Sequence, residues 1–282
     1  ARRQLLEWIE ADRDKLVNFF SNFLSKPSPN PPGDTRTATA FVADYLNSKD
    51  IEYKIIAPQE QMPNILATVR GNGPGHHLVL NGHIDVFPAS ESETWTHGPW
   101  SGAIADGAVW GRGASDMKCG TSASILAFIY LSRLSSYWPG KLVLTVVSDE
   151  ETGGKWGTRY LLENHANDCA GDCVLNAEPS GLSSIRFAEK GTLRLIFKVR
   201  TPGAHGAYPH HSANANRIAA GLIIDLDQLN DIPVTMPPDM AKLLRRPEVR
   251  ACMDNVMGSG AADVAARVTV NIGVVQGGLK VN

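Results

Sequence analysis

The residues with most chemical potential in this sequence are His83, Asp85, Asp116, Glu150, Glu151 and Glu178. His83 and Asp85 stand in Asn81-Gly82-His83-Ile84-Asp85-Val86, straight after the apolar run 78–80. Asp116 lies in the glycine-punctuated stretch Gly111-Arg112-Gly113-Ala114-Ser115-Asp116-Met117-Lys118, ahead of an apolar run through Ile125, Phe128 and Ile129. Glu150 and Glu151 follow the apolar run 142–147, and Glu178 follows residues 173–176. Taken singly, each has an ordinary explanation. An Asp entering a helix caps it, a His-x-Asp pair hydrogen-bonds its own loop, and paired glutamates are solvated. Taken together, they set one imidazole and several carboxylates at the ends of buried strands, where open α/β sheets bind ligands. Carboxylates crowded in one place raise one another's pKa values unless cations stand among them. One His with several carboxylates suits zinc, manganese or cobalt. Two such cations about 3.5–4 Å apart, bridged by a carboxylate such as Asp116, activate water and polarise the carbonyl it attacks, which is how amides are hydrolysed. That chemistry also needs a carboxylate off the metal to take the water's proton. Asp85 is placed to orient His83.

The elements that must position these groups are readable from periodicity. Residues 3–24 carry an amphipathic helical pattern, stopped by Pro27, Pro29, Pro31, Pro32 and Gly33, and a second helix is predicted from Asp34 or Thr35 through Leu46. Strands are predicted over 51–56, 65–69, 78–80, 142–147 and 173–176, with helices over 117–134 and 158–164. Alternation of buried strand, loop and helix argues for an α/β domain over 1–187. From 188 the pattern becomes half-exposed strand (192–200), His- and Pro-rich loop, helix through Ile218 and Leu226, a polar segment 231–263, and a last strand 268–275. That is the pattern of a separate α+β unit, 188–282.

With 282 residues, a formal net charge of −2 and no apolar run of membrane-spanning length, the sequence offers no electrostatic grip for nucleic acid and no transmembrane segment. Its four cysteines are too few for a disulfide scaffold, which favours a reducing compartment and a cytoplasmic protein. The chain starts at Ala1 without an initiator Met, leaving a processed leader open.

The ordered series GHIDV, GRGASDMK, DEETGG, AEPS and GAHGAYPH resembles the M20 family of metallopeptidases and amidohydrolases, from about residue 15 to the end. The resemblance implies a three-layer catalytic domain with a mixed central sheet and an inserted α+β ferredoxin-like lid that dimerises. It implies two divalent metal ions, zinc foremost, with His83 on one, Glu151 on the other, Asp116 bridging both and Glu178 completing the shell of the first. Glu150 is then the general base for attack by a metal-bridging hydroxide on an N-acyl amino acid or small peptide, and Asp85 supports His83. The lid would contribute His205, reaching the partner subunit's site to stabilise the oxyanion, and Asn271 in a related role toward substrate. A cis peptide is implied at Asp116-Met117. His210, His211, Trp95, Trp100 and Trp110 read as loop residues, Cys119 as a small buried residue, and Arg112 and Lys118 as groups that hold their loop.

The sequence departs from the family pattern at its end. It stops at Gly277-Gly278-Leu279-Lys280-Val281-Asn282, where relatives continue to a final His on the second metal. The expectation is therefore a lid short of its last strands and a second metal site short of one ligand. The alternative is a non-catalytic or inactive M20-like fragment that serves as a dimerising or binding module.

Overall fold

The computed structural model describes residues 1–90, 94–182 and 184–278, so the last part of the stretch 277–282 singled out above lies outside the described residues. Two compact units form, the first Ala1–Pro179 and the second from Ser180 onward.

The first unit is a mixed sheet between helices. Its N-terminal amphipathic stretch is two helices, α1 (Arg2–Ala11) and α2 (Arg13–Leu24), where one was expected over 3–24. The break is Asp12, whose carboxylate accepts hydrogen bonds from Tyr130 Oη (2.8 Å) and Lys15 Nζ (2.6 Å). Asp draws its bonds from side chains here, and its backbone leaves the helical well at φ −99°, ψ 8°. Helix α3 (Arg36–Asn47) is followed by β1 (Tyr53–Ile56), β2 (Asn64–Arg70) and β3 (His77–His83). The stretch 95–110, whose Trp95, Trp100 and Trp110 were expected in a loop, contains a small hairpin, β4 (Ala103–Ala105) and β5 (Ala108–Trp110), too short to register as alternation. Then come α4 (Lys118–Ser132), β6 (Lys141–Val147), α5 (Thr158–Asn164), α6 (Ala166–Cys169) and β7 (Cys173–Asn176).

Strand order is β1-β2-β6-β3-β7. β3 runs parallel to both β6 and β7, whereas β1 and β2 join antiparallel, so the sheet is mixed as expected. β6 shows why it is central. Leu142, Leu144 and Val146 point into the larger core with Phe23, Val42, Leu46, Ile125 and Phe128 from α2, α3 and α4. Val143 and Val147 point the other way, to Leu161 of α5 and Cys169 of α6. A strand covered on both faces reads as an unbroken apolar run. The three parallel strands end on one side of the sheet. That edge receives the candidate residues.

The second unit contains α7 (Ala215–Asp227), α8 (Pro238–Leu244), α9 (Pro247–Met257) and α10 (Ala261–Ala265). The last three begin within the segment 231–263, expected only to be polar; Pro at the first turn of α8 and α9 starts those helices. The strands expected over 192–200 and 268–275 do not form. Both segments lack a ladder partner among the described residues, and alternation alone makes no strand without one. Leu193, Leu195, Ile196 and Phe197 are all more than half exposed. The ferredoxin-like sheet is therefore absent from the described residues. Just before the first segment, Lys190 Nζ donates to Val264 O (3.2 Å) and Arg267 O (3.3 Å), ahead of the second segment, and to Thr269 Oγ1 (3.0 Å) at its start.

Candidate metal centre

His83 ends β3 almost fully buried, with 1% of its side chain exposed. Its Nδ1 faces the Asp85 backbone carbonyl (2.8 Å) and Oδ1 (3.4 Å). Its Nε2 faces outward to Asp116 Oδ1 (3.2 Å), Glu178 Oε1 (3.2 Å) and Glu150 Oε2 (3.7 Å). One imidazole nitrogen is thus fixed by its own loop and the other is presented to acids from three further elements.

Each acid arrives by a different local device. Asp116 precedes α4 but does not cap it; Met117 occupies the cap position, with no side-chain capping bond. The Asp116 carboxylate turns to His83, and the His83 N–H meets Met117 Sδ (3.3 Å). The Asp116-Met117 peptide is cis, as the resemblance implied. Glu178 is set by a line of amides across the sheet. Its N–H donates to Asn176 Oδ1, Asn176 Nδ2 to Asn81 Oδ1, and Asn81 Nδ2 to Thr145 Oγ1, each at 2.8 Å. Two glycines let these elements close up. A Cβ on Gly82 would stand 2.5 Å from Thr121 Oγ1 of α4, and a Cβ on Gly120 would strike the carbonyl oxygen of Ala177. Lys118 is buried beneath, with Nζ donating to Lys26 O (2.5 Å) and sitting over the Phe23 ring at 5.0 Å. It ties α4 to the end of α2, which is the holding role its place in the motif suggested.

Asp85 does more than the sequence reading gave it. Its Oδ1 accepts the Glu150 N–H (3.2 Å) and its Oδ2 the Glu151 N–H (3.1 Å), so one buried carboxylate orients His83 and also fixes the loop bearing both glutamates. Asn30 Nδ2 donates to the same Oδ2 (2.8 Å). Burial works against the Asp85 charge, but the hydrogen bonds from His83 and Asn30 outweigh it and hold its carboxyl below the usual range. Burial likewise opposes charge on His83, yet Asp85 and Glu178 together push it up to about 11. Glu150 and Glu151 are both raised, first by partial burial; Glu178 among other acids then adds to the effect on Glu150, and Asp116 to that on Glu151. Glu150 and Glu151 are thus crowded by acids around one imidazole, a charge distribution that a cation would relieve.

Among the described residues, His83, Asp116 and Glu178 are the one group with three ligand atoms mutually within 4.8 Å. Glu150 stands beside it. The Glu151 carboxylate is outside that group and is linked to it through its repulsion with Asp116. His205 and Asn271 belong to the second unit, both exposed: His205 Nδ1 accepts from Ala207 N (3.1 Å), and Asn271 lies on the extended 268–275 segment. Asn30 was missed because an Asn among prolines reads only as a turn.

The profile of Peptidase family M20/M25/M40 matches residues 79–273. The chain belongs to this family. Its curated relatives include succinyl-diaminopimelate desuccinylases: 33% identity with the Paracoccus denitrificans protein over 206 residues, covering 71% of this chain and 53% of that one. The Nautilia profundicola protein is 28% identical over 222 residues, covering 75% and 58%. The chain therefore spans about half the length of the curated relatives it matches. In fold it is similar to a putative aminohydrolase from methicillin-resistant Staphylococcus aureus (TM-score 0.58, 18% identity, 83% of this chain and 61% of that one). It is equally similar to the di-peptidase Dug1p of Saccharomyces cerevisiae (TM-score 0.58, 16% identity, 91% and 61%). The shared mixed α/β architecture agrees with the fold expected for the catalytic part.

Proposed function

We propose that this chain carries the catalytic half-site of a two-metal hydrolase that cleaves the amide bond of an N-acyl amino acid or small peptide. The observation that carries the reading is the convergence on His83 Nε2 of Asp116, Glu178 and Glu150, within 3.2–3.7 Å, in a chain of this peptidase family. The donor set fits a borderline divalent cation, with zinc first and cobalt or manganese next. His83 and Glu178 would hold one ion, Glu151 the other, and Asp116 both. When bound, such ions polarise a carbonyl and make water acidic near neutral pH.

The chain's own groups supply the rest. Glu150 lies beside the ligand group, its side chain 55% exposed and its pKa raised, which suits a carboxylate that takes a proton from water and returns it to the leaving amine. The water oxygen bonds to the carbonyl carbon, the C–N bond breaks, and that proton ends on the amine nitrogen. Asp85 holds the His83 ring and the Glu150–Glu151 loop in register. The desuccinylase relatives favour acyl removal from an amino group. A homodimer through the second unit, with His205 serving the partner's site and Asn271 touching substrate, follows from the family resemblance; the exposed apolar side chains of 193–197 support an interface there. Cys119, Cys169, Cys173 and Cys252 are all free thiols, which favours the cytoplasm, and no described helix is long and apolar enough to cross a membrane.

Assaying the chain and its Glu150→Gln variant on N-acyl amino acids and dipeptides with added zinc or cobalt tests this. Turnover is expected to fall by about 10²–10⁴-fold with metal binding retained. Unchanged turnover would overturn the mechanism, and metal binding without any turnover by the parent would favour the binding-module reading.

A further inference from the structure

Asn30 is 2% exposed and far in sequence from every residue of the metal centre, yet its side-chain amide is aimed at the centre's supporting acids. Nδ2 donates to Asp85 Oδ2 (2.8 Å) and Thr152 Oγ1 (3.0 Å), with Asp149 Oδ1 further off at 3.5 Å. The segment bearing it is strapped along the exit of β3. Ser28 Oγ donates to Ile84 O (2.6 Å), Val86 N to Ser28 O (3.0 Å), and Asn30 N to Val86 O (2.9 Å). The other side of the amide meets the exit of β6. There Asp149 takes a left-handed backbone (φ 76°), costly for a residue with a side chain, and is held by Trp156 N (2.9 Å) and by the Thr152 hydroxyl. That turn delivers Glu150 and Glu151, whose N–H groups both reach Asp85.

The amide is therefore the link between two strand exits. Asp85 and Asp149 are buried carboxylates, 0% and 3% exposed; the neutral amide gives one N–H to Asp85 and the other to Thr152, whose hydroxyl passes its own to Asp149, so acceptors that water does not reach are satisfied. An aspartate there would be nearly the same shape with the opposite hydrogen-bond character. We infer that Asn30 is a positioning residue that sets the Glu150–Glu151 loop against His83, acting through Asp85 and Thr152. Its catalytic consequence rests on the hydrolase reading above; its structural content does not.

Three variants of the full chain, Asn30→Ala, Asn30→Asp and Thr152→Val, test it by amide hydrogen exchange, cobalt and zinc titration, and kcat and KM. In Asn30→Ala, exchange at the Glu150 and Glu151 amides is expected to quicken while β6 and α4 stay protected. Metal affinity and kcat should fall by about 10–100-fold, the usual cost of removing a partner that orients a ligand, with KM changed much less. At pH 8 Asn30→Asp should be worse than Asn30→Ala on every readout, despite its closer shape, because it adds a third carboxylate. Thr152→Val should show a smaller change of the same kind, and carries the test if the Asn30 variants do not fold. Unchanged Glu150 and Glu151 exchange in folded Asn30→Ala, or an Asn30→Asp variant equal to the parent, would overturn the inference. A parent that hydrolyses nothing, but whose loop exchange responds as described, would overturn the hydrolase reading and leave the positioning role standing.

Discussion

At the scale of single residues, His83 is pulled two ways by its surroundings. Burial should strip its charge, but the carboxylates of Asp85 and Glu178 hold the proton, and the pKa is pushed up from 6.5 to about 11. A group whose folded pKa is raised stabilises the fold fully below its unfolded pKa and loses that contribution as pH climbs through the folded value. The metal-free protein should therefore lose stability between neutral pH and about 11, by thermal unfolding at intervals of pH. A cation ligating Nε2 must displace that proton. Zinc binding at pH 8 should release about one proton, read by calorimetry as heats that vary with the ionisation enthalpy of the buffer. His83→Gln should abolish the release. Heats that do not depend on buffer would mean that His83 is neutral beforehand or is not a ligand. The identities of the six central residues were legible in sequence because their spacing from apolar runs put each at a strand or helix end. Their second tasks were not. That Asp85 also accepts the Glu150 and Glu151 N–H groups depends on how two strands sit side by side, which no local pattern encodes.

At the scale of elements, what brings His83, Asp116 and Glu178 together is the approach of α4 to β3 and to the turn after β7. Gly82 and Gly120 permit it, one facing Thr121 and the other the Ala177 carbonyl. Neither signalled this role in sequence. Gly82 read as part of a metal motif, and Gly120 passed as an ordinary residue in an apolar helix. Strands β3 and β6 were legible because both of their faces are covered, giving unbroken apolar runs. The strands expected in the second unit did not form because Leu193, Leu195 and Phe197 alternate correctly but meet no partner among the described residues, and alternation without a partner makes no ladder. Gly120→Ala is expected to cost about 1–3 kcal/mol by overpacking, measured by chemical denaturation. Because the backbone of Ala177 must give way, Glu178 should move with it, and metal affinity should drop in the same variant. A variant that loses stability but binds cobalt as the parent does would show that Glu178 is placed independently of α4.

At the scale of the whole molecule, the three-ligand group is carried by the first unit alone, with Glu178 just inside its end at Pro179. The second unit begins with a long run that has neither helix nor ladder among its described residues, and along it Arg186, Lys190, Arg194, Lys198 and Arg200 are exposed. Segments with exposed side chains and few backbone hydrogen bonds open at little free-energy cost, and proteases sample that opening. Brief trypsin treatment should therefore cut first in 186–200, releasing a resistant fragment that retains every residue from α1 to Glu178. Lys118, by contrast, should be spared, since it is buried with its ammonium on the Lys26 carbonyl. Cobalt titration of the trimmed material then separates two contributions. Retained affinity at the His83–Asp116–Glu178 group would locate that ion in the first unit, whereas lost turnover with affinity intact would assign the remaining catalytic groups, His205 among them, to the second. Early cleavage within 1–179 would contradict the division itself, because the mixed sheet and its two cores would then be the less stable part.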